Sequence, residues 1–559
     1  MLNLIRTGII LVVATFMVSV SIAQDSKDTV MGLRDEVQRF SGIFHSEDAE
    51  ILVVFANLEL GDVIYAYAAG LGFVDTYLEV LNPDLSGTFA QDDDGGGGYN
   101  SALTYEVAAA GAYTVRLTTI DQIGNYELTV GINTPQVLDL VNAPPTLTVQ
   151  EGGFDCDSID RLGERPILSG INRTREGKAY VIHFTLDGVD ATSSEYIDAM
   201  ADAIQRSLDV QFNDLGWLPP PADCGEGGDN RLDIYVVDLS DSSGIGVAIP
   251  EGVVGDNPIT ERVEFFAAYS YLMVDNDMDF VSGNLALDLM TSTVAHEIHH
   301  NIQFGYDFND SFFAFYEAGA TWIETLVYPT GNTVYEYVED VFSRPDVCIG
   351  QLNDVGLRQY GEWLMIDSFV RDLGIDSYQF IWEFIGTRQG LPAFYDALRE
   401  LDSTPQEVMK HLAIRNLIQD YALAKRFTST VFIEGNVTGT GFVSPQRDGI
   451  QELGVDYVAI TAAGQFTFDL PSNEALTMFV VGINTETERA TVYDIGQHGT
   501  VDTTPYDYAY IIVLNTTEHS DFDNCHYTDW TITIRDGSDD TLAVADSERW
   551  NASQFIPIR

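Results

Sequence analysis

His296-Glu297-Ile298-His299-His300 is the strongest local signal in the sequence, because its residue types and spacing fit metal-assisted hydrolysis. Histidines four apart on a helix lie about one turn apart on the same face, so both imidazoles reach one Zn2+ at about 2.0 to 2.1 Å. Glu297, next to the first histidine, stands beside such a metal without binding it and is placed to take a proton from an activated water. A catalytic zinc also needs a third protein ligand and an open position. Glu317 is the candidate, in Glu317-Ala318-Gly319-Ala320-Thr321-Trp322-Ile323-Glu324, a second helical pattern a short loop beyond His300. Glu324 falls on the same helical face and is either an orienting partner for a ligand imidazole or a solvent-facing carboxylate. His299 sits about a third of a turn off the ligand face and reads as an ordinary polar neighbour.

These side chains need rigid supports. The run Leu289 to Phe304 is helical in pattern, with Leu289 and Val294 as apolar backing and Gly305 as a candidate C′ residue. Upstream, Lys178 to Leu186, Leu232 to Leu239 and Phe265 to Val274 read as strands, and Ser194 to Phe212 as a helix capped from within Thr192 to Ser194. Phe265 to Val274 is the candidate edge for pairing with an extended substrate backbone. Tyr360, at the start of a further helix, is the candidate donor to a tetrahedral oxyanion, with a structural tyrosine as the alternative.

The wider text carries a resemblance. His296 to Asp307, Glu317 to Glu324 and Arg358-Gln359-Tyr360-Gly361 look like a family of secreted bacterial gluzincin metallopeptidases. Leu215-Gly216-Trp217, Asp229 to Leu239 and Val274-Asp275-Asn276-Asp277 match it as well, so the likeness covers most of Lys178 to Ile385. It implies a zincin-like fold with His296, His300 and Glu317 as ligands and Glu297 as base. Thr321 departs from it, standing where some gluzincins place an acidic partner. Nearer the N-terminus, Val74 to Leu78, Asp92-Asp93-Asp94-Gly95-Gly96-Gly97-Gly98, Ser101 to Tyr105, Gly111-Ala112-Tyr113 and Gly124 to Leu128 resemble the bacterial pre-peptidase C-terminal domain, an accessory β-sandwich. That likeness implies association with a peptidase and no catalytic role.

At 559 residues the chain is long enough for three or four folded units at about 100 to 200 residues each. The expected class is a multidomain α+β protein. It has a signal peptide at 1–23, a β-sandwich at 36–134, a central zincin-like α/β metallopeptidase domain at 150–428 and a C-terminal β-sandwich at 431–559. Arg6, the apolar Gly8 to Val20 and the small residues to Ala23 read as an export signal cleaved after Ala23, with an uncleaved anchor as the alternative. Pro144-Pro145 and Gly152-Gly153 mark the linker between the first two domains.

Lys and Arg total 27 against 86 Asp and Glu, a net charge of −59, which excludes polyanion binding through a general basic surface; nucleic acid is not an expected partner. Cys156, Cys224, Cys348 and Cys525 have no C-x-x-C spacing, so a zinc knuckle or redox motif is excluded. In an exported chain they read as two disulfides, with Cys156–Cys224 and Cys348–Cys525 preferred among three connectivities and free buried thiols as the alternative. Asp275, Asp277 and Asp279, and the acidic glycine loop at Asp92, make Ca2+ a second candidate cofactor beside Zn2+, against solvated turns as the plainer reading.

The expected function is a secreted, extracellular or periplasmic zinc peptidase, an endopeptidase by preference, acting on a protein or peptide substrate. The alternatives are a catalytically silent zinc-containing binding protein and a zinc hydrolase acting on a non-peptide amide or ester.

Overall fold

The computed structural model describes residues 18–21, 27–31, 37–44, 50–70, 76–82, 87–93, 95, 101–119, 124–140, 156, 159–163, 165–240, 244–260, 262–278, 281, 284–330, 333–351, 357–471, 475–519, 525–538 and 547–558. Residues 1–17 of the expected signal peptide, the Pro144-Pro145 linker, Asp94 with Gly96 to Gly98, and Asp279 lie outside the described residues. The chain forms two compact units, Met1–Thr146 and Leu147–Arg559. Among the described residues no helix is long and apolar enough to cross a membrane.

The first unit is built of strands β1 (Val18–Ser21), β2 (Lys27–Met31), β3 (Gln38–Phe44), β4 (Glu50–Leu58), β5 (Val63–Gly70), β6 (Thr76–Leu81), β7 (Thr88–Asp92), β8 (Ser101–Glu106), β9 (Gly111–Thr119) and β10 (Gly124–Ile132). They make two sheets, ordered β1-β3-β10-β5-β8 and β2-β4-β9-β6-β7. Alternate residues supply the shared core: Ile51, Val53 and Phe55 from one sheet meet Ile64, Ala66, Leu128 and Val130 from the other. Strand β1 belongs to the segment read as export signal, so cleavage after Ala23 would remove it from the edge of its sheet. Asp92 accepts from the backbone N–H groups of Gly95 and Ala102, so this acidic side chain closes its own turn.

The second unit opens with a mixed sheet ordered β11-β15-β16-β14-β13-β12. Its strands are β11 (Asp160–Arg161), β12 (Arg173–Glu176), β13 (Tyr180–Phe184), β14 (Leu232–Val237), β15 (Gly246–Gly255) and β16 (Ala267–Asp275). β13, β14 and β16 run parallel, and β15 is antiparallel to β16. The expectation that Phe265 to Val274 forms an edge is corrected here. β16 is hydrogen-bonded on both sides, and the outer strand on that flank is β15, capped only at Gly252 and Val253 by the two-residue β11.

Helices follow as α1 (Ser194–Leu208), α2 (Asn284–Phe304), α3 (Phe313–Val327), α4 (Val338–Ser343), α5 (Arg358–Gly361), α6 (Trp363–Leu373), α7 (Asp376–Arg388), α8 (Gly390–Glu400) and α9 (Pro405–Ile418). Ser193 caps α1 by accepting from the Tyr196 N–H. α2 lies on β15 and β16 and between α1 and α3. α2 ends at Phe304, directly before Gly305 as expected; the φ of Gly305 is not positive, and a Cβ there would press on Pro220 and the Ile302 carbonyl. The opposite face of the sheet is closed by Arg165, whose guanidinium meets Asp223 at 2.7 Å, Glu251 at 2.8 Å and also Asp233.

Beyond α9 the chain turns to strands β17 (Ile433–Val437), β18 (Gly441–Val443), β19 (Val455–Ile460), β20 (Gln465–Asp469), β21 (Leu476–Asn484), β22 (Arg489–Gly496), β23 (His498–Asp502), β24 (Tyr508–Asn515), β25 (Ile532–Asp536) and β26 (Ser547–Asn551). Two sheets, β17-β19-β24-β21-β22-β26 and β18-β25-β20-β23, share a core that includes Val458, Phe468, Val480, Ile511 and Ile532. This part and the helical part belong to the same compact unit. Tyr457 donates to the Ala413 carbonyl at 3.0 Å, Lys410 meets Glu548, and a disulfide joins Cys348 to Cys525. The second disulfide is Cys156–Cys224, so both preferred pairings are present.

Asp456 of β19 gives a pH prediction. It is fully buried, accepts from Trp530 Nε1 at 2.6 Å, and burial pushes its pKa up to about 8. Its folded-state pKa is thus raised. The stability it contributes is full below the unfolded pKa of 3.8 and is lost as pH rises towards about 8. Asp456→Asn keeps an acceptor for Trp530 and removes the ionisation. Its unfolding free energy should gain on the wild type by at most about 1.4 kcal/mol per pH unit across that window, read by denaturant titration at pH 5, 7 and 9. A constant difference at the three pH values would refute this.

Candidate metal centre

α2 carries His296, Glu297 and His300, and α3 brings Glu317 and Glu324 across from it. The structure therefore gathers every residue expected at the site. His296 Nε2 and His300 Nε2 are 3.0 Å apart, and Glu317 Oε2 is 3.2 Å from the first and 3.6 Å from the second. Tetrahedral coordination with bonds of about 2.0 to 2.1 Å separates ligand atoms by about 3.3 to 3.4 Å. The observed triangle matches that edge length.

The hydrogen bonds behind the imidazoles fix which nitrogen carries hydrogen. His296 Nδ1 is 2.8 Å from Glu324 Oε1, and a carboxylate accepts, so Nδ1 donates. Glu324 is accordingly buried and bound to the ligand imidazole, and not solvent-facing. His300 Nδ1 is 2.7 Å from Gln303 Oε1, whose amide is oriented by Nε2 donating to the Tyr316 carbonyl at 3.1 Å. With hydrogen on both Nδ1 atoms, the two Nε2 atoms face each other, with a carboxylate oxygen at the third corner. Such a donor set is stable only around positive charge, and it fits a divalent cation with nitrogen and oxygen ligands. Thr321 Oγ1, where the family pattern suggested an acid, is buried with no partner.

Electrostatics follow the same geometry. Burial alone would lower the His296 pKa, but Glu317 and Glu324 hold it well above its ordinary value. Burial alone would raise Glu317, but His300 and His296 hold it well below the usual carboxylate range. Glu297 is raised by burial, against the opposing pull of His300 and His296. The Ala248 backbone N–H serves this carboxyl, while Oε2 is buried with no partner. Strand β15 reaches the carboxyl through Gly246, because a Cβ there would collide with Thr293 and the Glu297 side chain.

Tyr360 of α5 lies at the site, its ring 6.0 Å from that of His296. Burial, then the Glu317 carboxylate, raises its pKa, so its hydroxyl stays protonated. Tyr337, which the spacing did not suggest, packs against Tyr360 with the rings tilted and their centroids 5.1 Å apart. Gly361 permits this arrangement, since a Cβ would strike the Tyr337 carbonyl. One expectation changes. His299 is no ordinary polar neighbour: it is fully buried, with Nδ1 bonded to Gln211 and Nε2 to Tyr378, both at 2.9 Å. Burial, then the neighbouring His300 and His296, hold its pKa well below the usual value. At the proposed calcium loop, Asp275 is occupied by the backbone N–H groups of Leu239, Asp277 and Met278. Among the described residues the other cluster with metal-ligand atoms is Cys348, His519 and Cys525, whose sulfurs are already bonded to each other.

No family model matches the chain, and no curated protein matches it in sequence. Among solved structures, the periplasmic lysozyme inhibitor PliG of Aeromonas hydrophila is similar at 15% identity and TM-score 0.17, over 20% of this chain and 100% of that one. The pre-peptidase C-terminal domain of collagenase from Bacillus anthracis is similar at 15% identity and TM-score 0.16, over 19% of this chain and 98% of that one. PliG of Salmonella Typhimurium is similar at 18% identity and TM-score 0.15, over 19% of this chain and 98% of that one.

Proposed function

We propose that the chain is a secreted zinc-dependent peptidase of the gluzincin type, with a zincin-like core in the second unit and the first unit as an accessory pre-peptidase C-terminal-like sandwich. The observation that carries the reading is the convergence of His296 Nε2, His300 Nε2 and Glu317 Oε2 beside a carboxylate with an unused oxygen. Zinc bound there would acidify a water and polarise a substrate carbonyl. Glu297 Oε2 would then accept that water's proton and return it to the leaving amine nitrogen, and the burial that raises its pKa favours taking the proton up. Tyr360 keeps its hydroxyl hydrogen and donates to the oxyanion. The outer edge of β15 from Gly246 to Pro250 offers backbone C=O groups for an extended peptide, its Ala248 N–H being held by Glu297 and Pro250 having none. The two disulfides suit an oxidising, extracellular location.

The test is metal analysis of the purified chain together with digestion of an unfolded protein mixture. About one zinc per chain and chelator-sensitive cleavage are expected. Bound zinc with no cleavage of any peptide would defeat the peptidase reading, and favour a binding protein or a hydrolase of another amide or ester.

A further inference from the structure

A line of fully buried polar side chains leaves the metal centre from the back of His300. Gln303, Tyr378, His299 and Gln211 follow one another at 2.7, 3.1, 2.9 and 2.9 Å, on α2, α7, α2 and the π-helical turn Asp209–Asp214 that prolongs α1. Two backbone carbonyls, which can only accept, fix the direction of every bond. Gln303 Nε2 donates to the Tyr316 carbonyl at 3.1 Å, so its Oε1 faces His300 Nδ1 and receives that hydrogen. Gln211 Nε2 donates to the Ala295 carbonyl at 3.0 Å and to Ser207 Oγ at 2.8 Å, so its Oε1 receives the hydrogen of His299 Nδ1. Tyr378 already accepts from Gln303 Nε2, and its own hydroxyl hydrogen goes to His299 Nε2.

The sequence makes room for this line at a cost in helix propensity. Gly319 sits inside α3, where glycine is about 1 kcal/mol less favourable than alanine. A Cβ at that position would fall on the Tyr378 hydroxyl and crowd Gln303 Nε2 at 3.0 Å. The π-helical turn brings Gln211 inward, and Trp217 packs edge-on against His299 and Tyr378 at 4.9 and 5.2 Å. Helices α1, α2, α3 and α7 thus all contribute to one chain of bonds ending on a ligand imidazole.

We propose that Gln303, Tyr378, His299 and Gln211 act as positioning residues, a one-directional hydrogen-bond chain that holds His300 with hydrogen on Nδ1 and its Nε2 lone pair aimed at the cation before any metal arrives. The purpose rests on the zinc reading above; the bond directions do not. His299 is then the centre of the chain and no ligand, which accounts for a third histidine in the motif.

The test uses the full chain with 15N-labelled histidine, stripped of metal, and reads the imidazole tautomers by NMR. Hydrogen on Nδ1 of both His299 and His300 is expected. Gln303→Leu should release the His300 tautomer and weaken zinc binding by about 10- to 100-fold in competition with a chromophoric chelator. Tyr378→Phe, the milder change, should weaken it in the same direction, while His411→Ala should leave it unchanged. Variants that bind zinc as tightly as wild type, whatever their melting temperatures, would show a purely structural role and overturn the proposal. So would a bare Nδ1 on His300 in the wild type. If the wild type binds no zinc, the peptidase reading fails, and the tautomer measurement still decides this proposal.

Discussion

Glu297→Gln should leave zinc binding intact and lower kcat for peptide hydrolysis by about 10²- to 10⁴-fold, the range that positioned general acid–base groups contribute. Glutamine has the same shape, and its Oε1 can keep the contact with the Ala248 N–H. What it loses is proton capacity at the second oxygen, the buried atom that has no protein partner. None of the three converging atoms belongs to residue 297, so metal content serves as the internal control. A variant with unchanged zinc and kcat within about tenfold of wild type would remove Glu297 from the chemistry.

Glu317→Ala should weaken zinc binding by more than about 100-fold, because even partners one shell further out are worth about 10- to 100-fold. The substitution removes the only negative corner of the triangle and leaves two imidazole nitrogens 3.0 Å apart. The loss shows in thermodynamics as well as in metal content. At a zinc concentration of 100 Kd the wild type gains about 2.7 kcal/mol of stability from binding, and the variant should gain almost none. Denaturant midpoints with and without zinc measure it. An undiminished zinc-dependent shift in the variant would mean that another residue completes the site.

What could be read in advance follows the range of the physics involved. His296, Glu297 and His300 were legible because helical periodicity alone puts them on one turn, and Glu317 because a short loop returns α3 alongside α2. Glu324 was half legible: spacing gave the face but not which neighbour that face meets. Strand β15 was missed, since Gly246, Pro250, Gly252 and Gly255 interrupt its apolar run, and those interruptions are what an outer strand beside a crowded carboxylate tolerates. β16 was taken for the edge because sheet order is absent from local pattern. Gln211 and Tyr378 meet His299 across long stretches of chain, and no spacing rule signals such partners. In the C-terminal part the expected sandwich is present as two sheets sharing one core, but its union with the helical part in one compact unit was not signalled by local pattern.

The Cys348–Cys525 bridge has a bearing on survival among proteases. It ties two points separated by 177 residues, enclosing α5 to α9 and strands β17 to β24 in a single covalent ring. A single cut anywhere in that ring opens it without detaching anything, since both new ends remain fastened through sulfur. A nicked molecule would keep its full mass on a non-reducing gel and fall into two pieces only after thiol treatment. The loops of this half can therefore be clipped once without the helices that carry Tyr360 and Tyr378 drifting away from the sandwich that supports them.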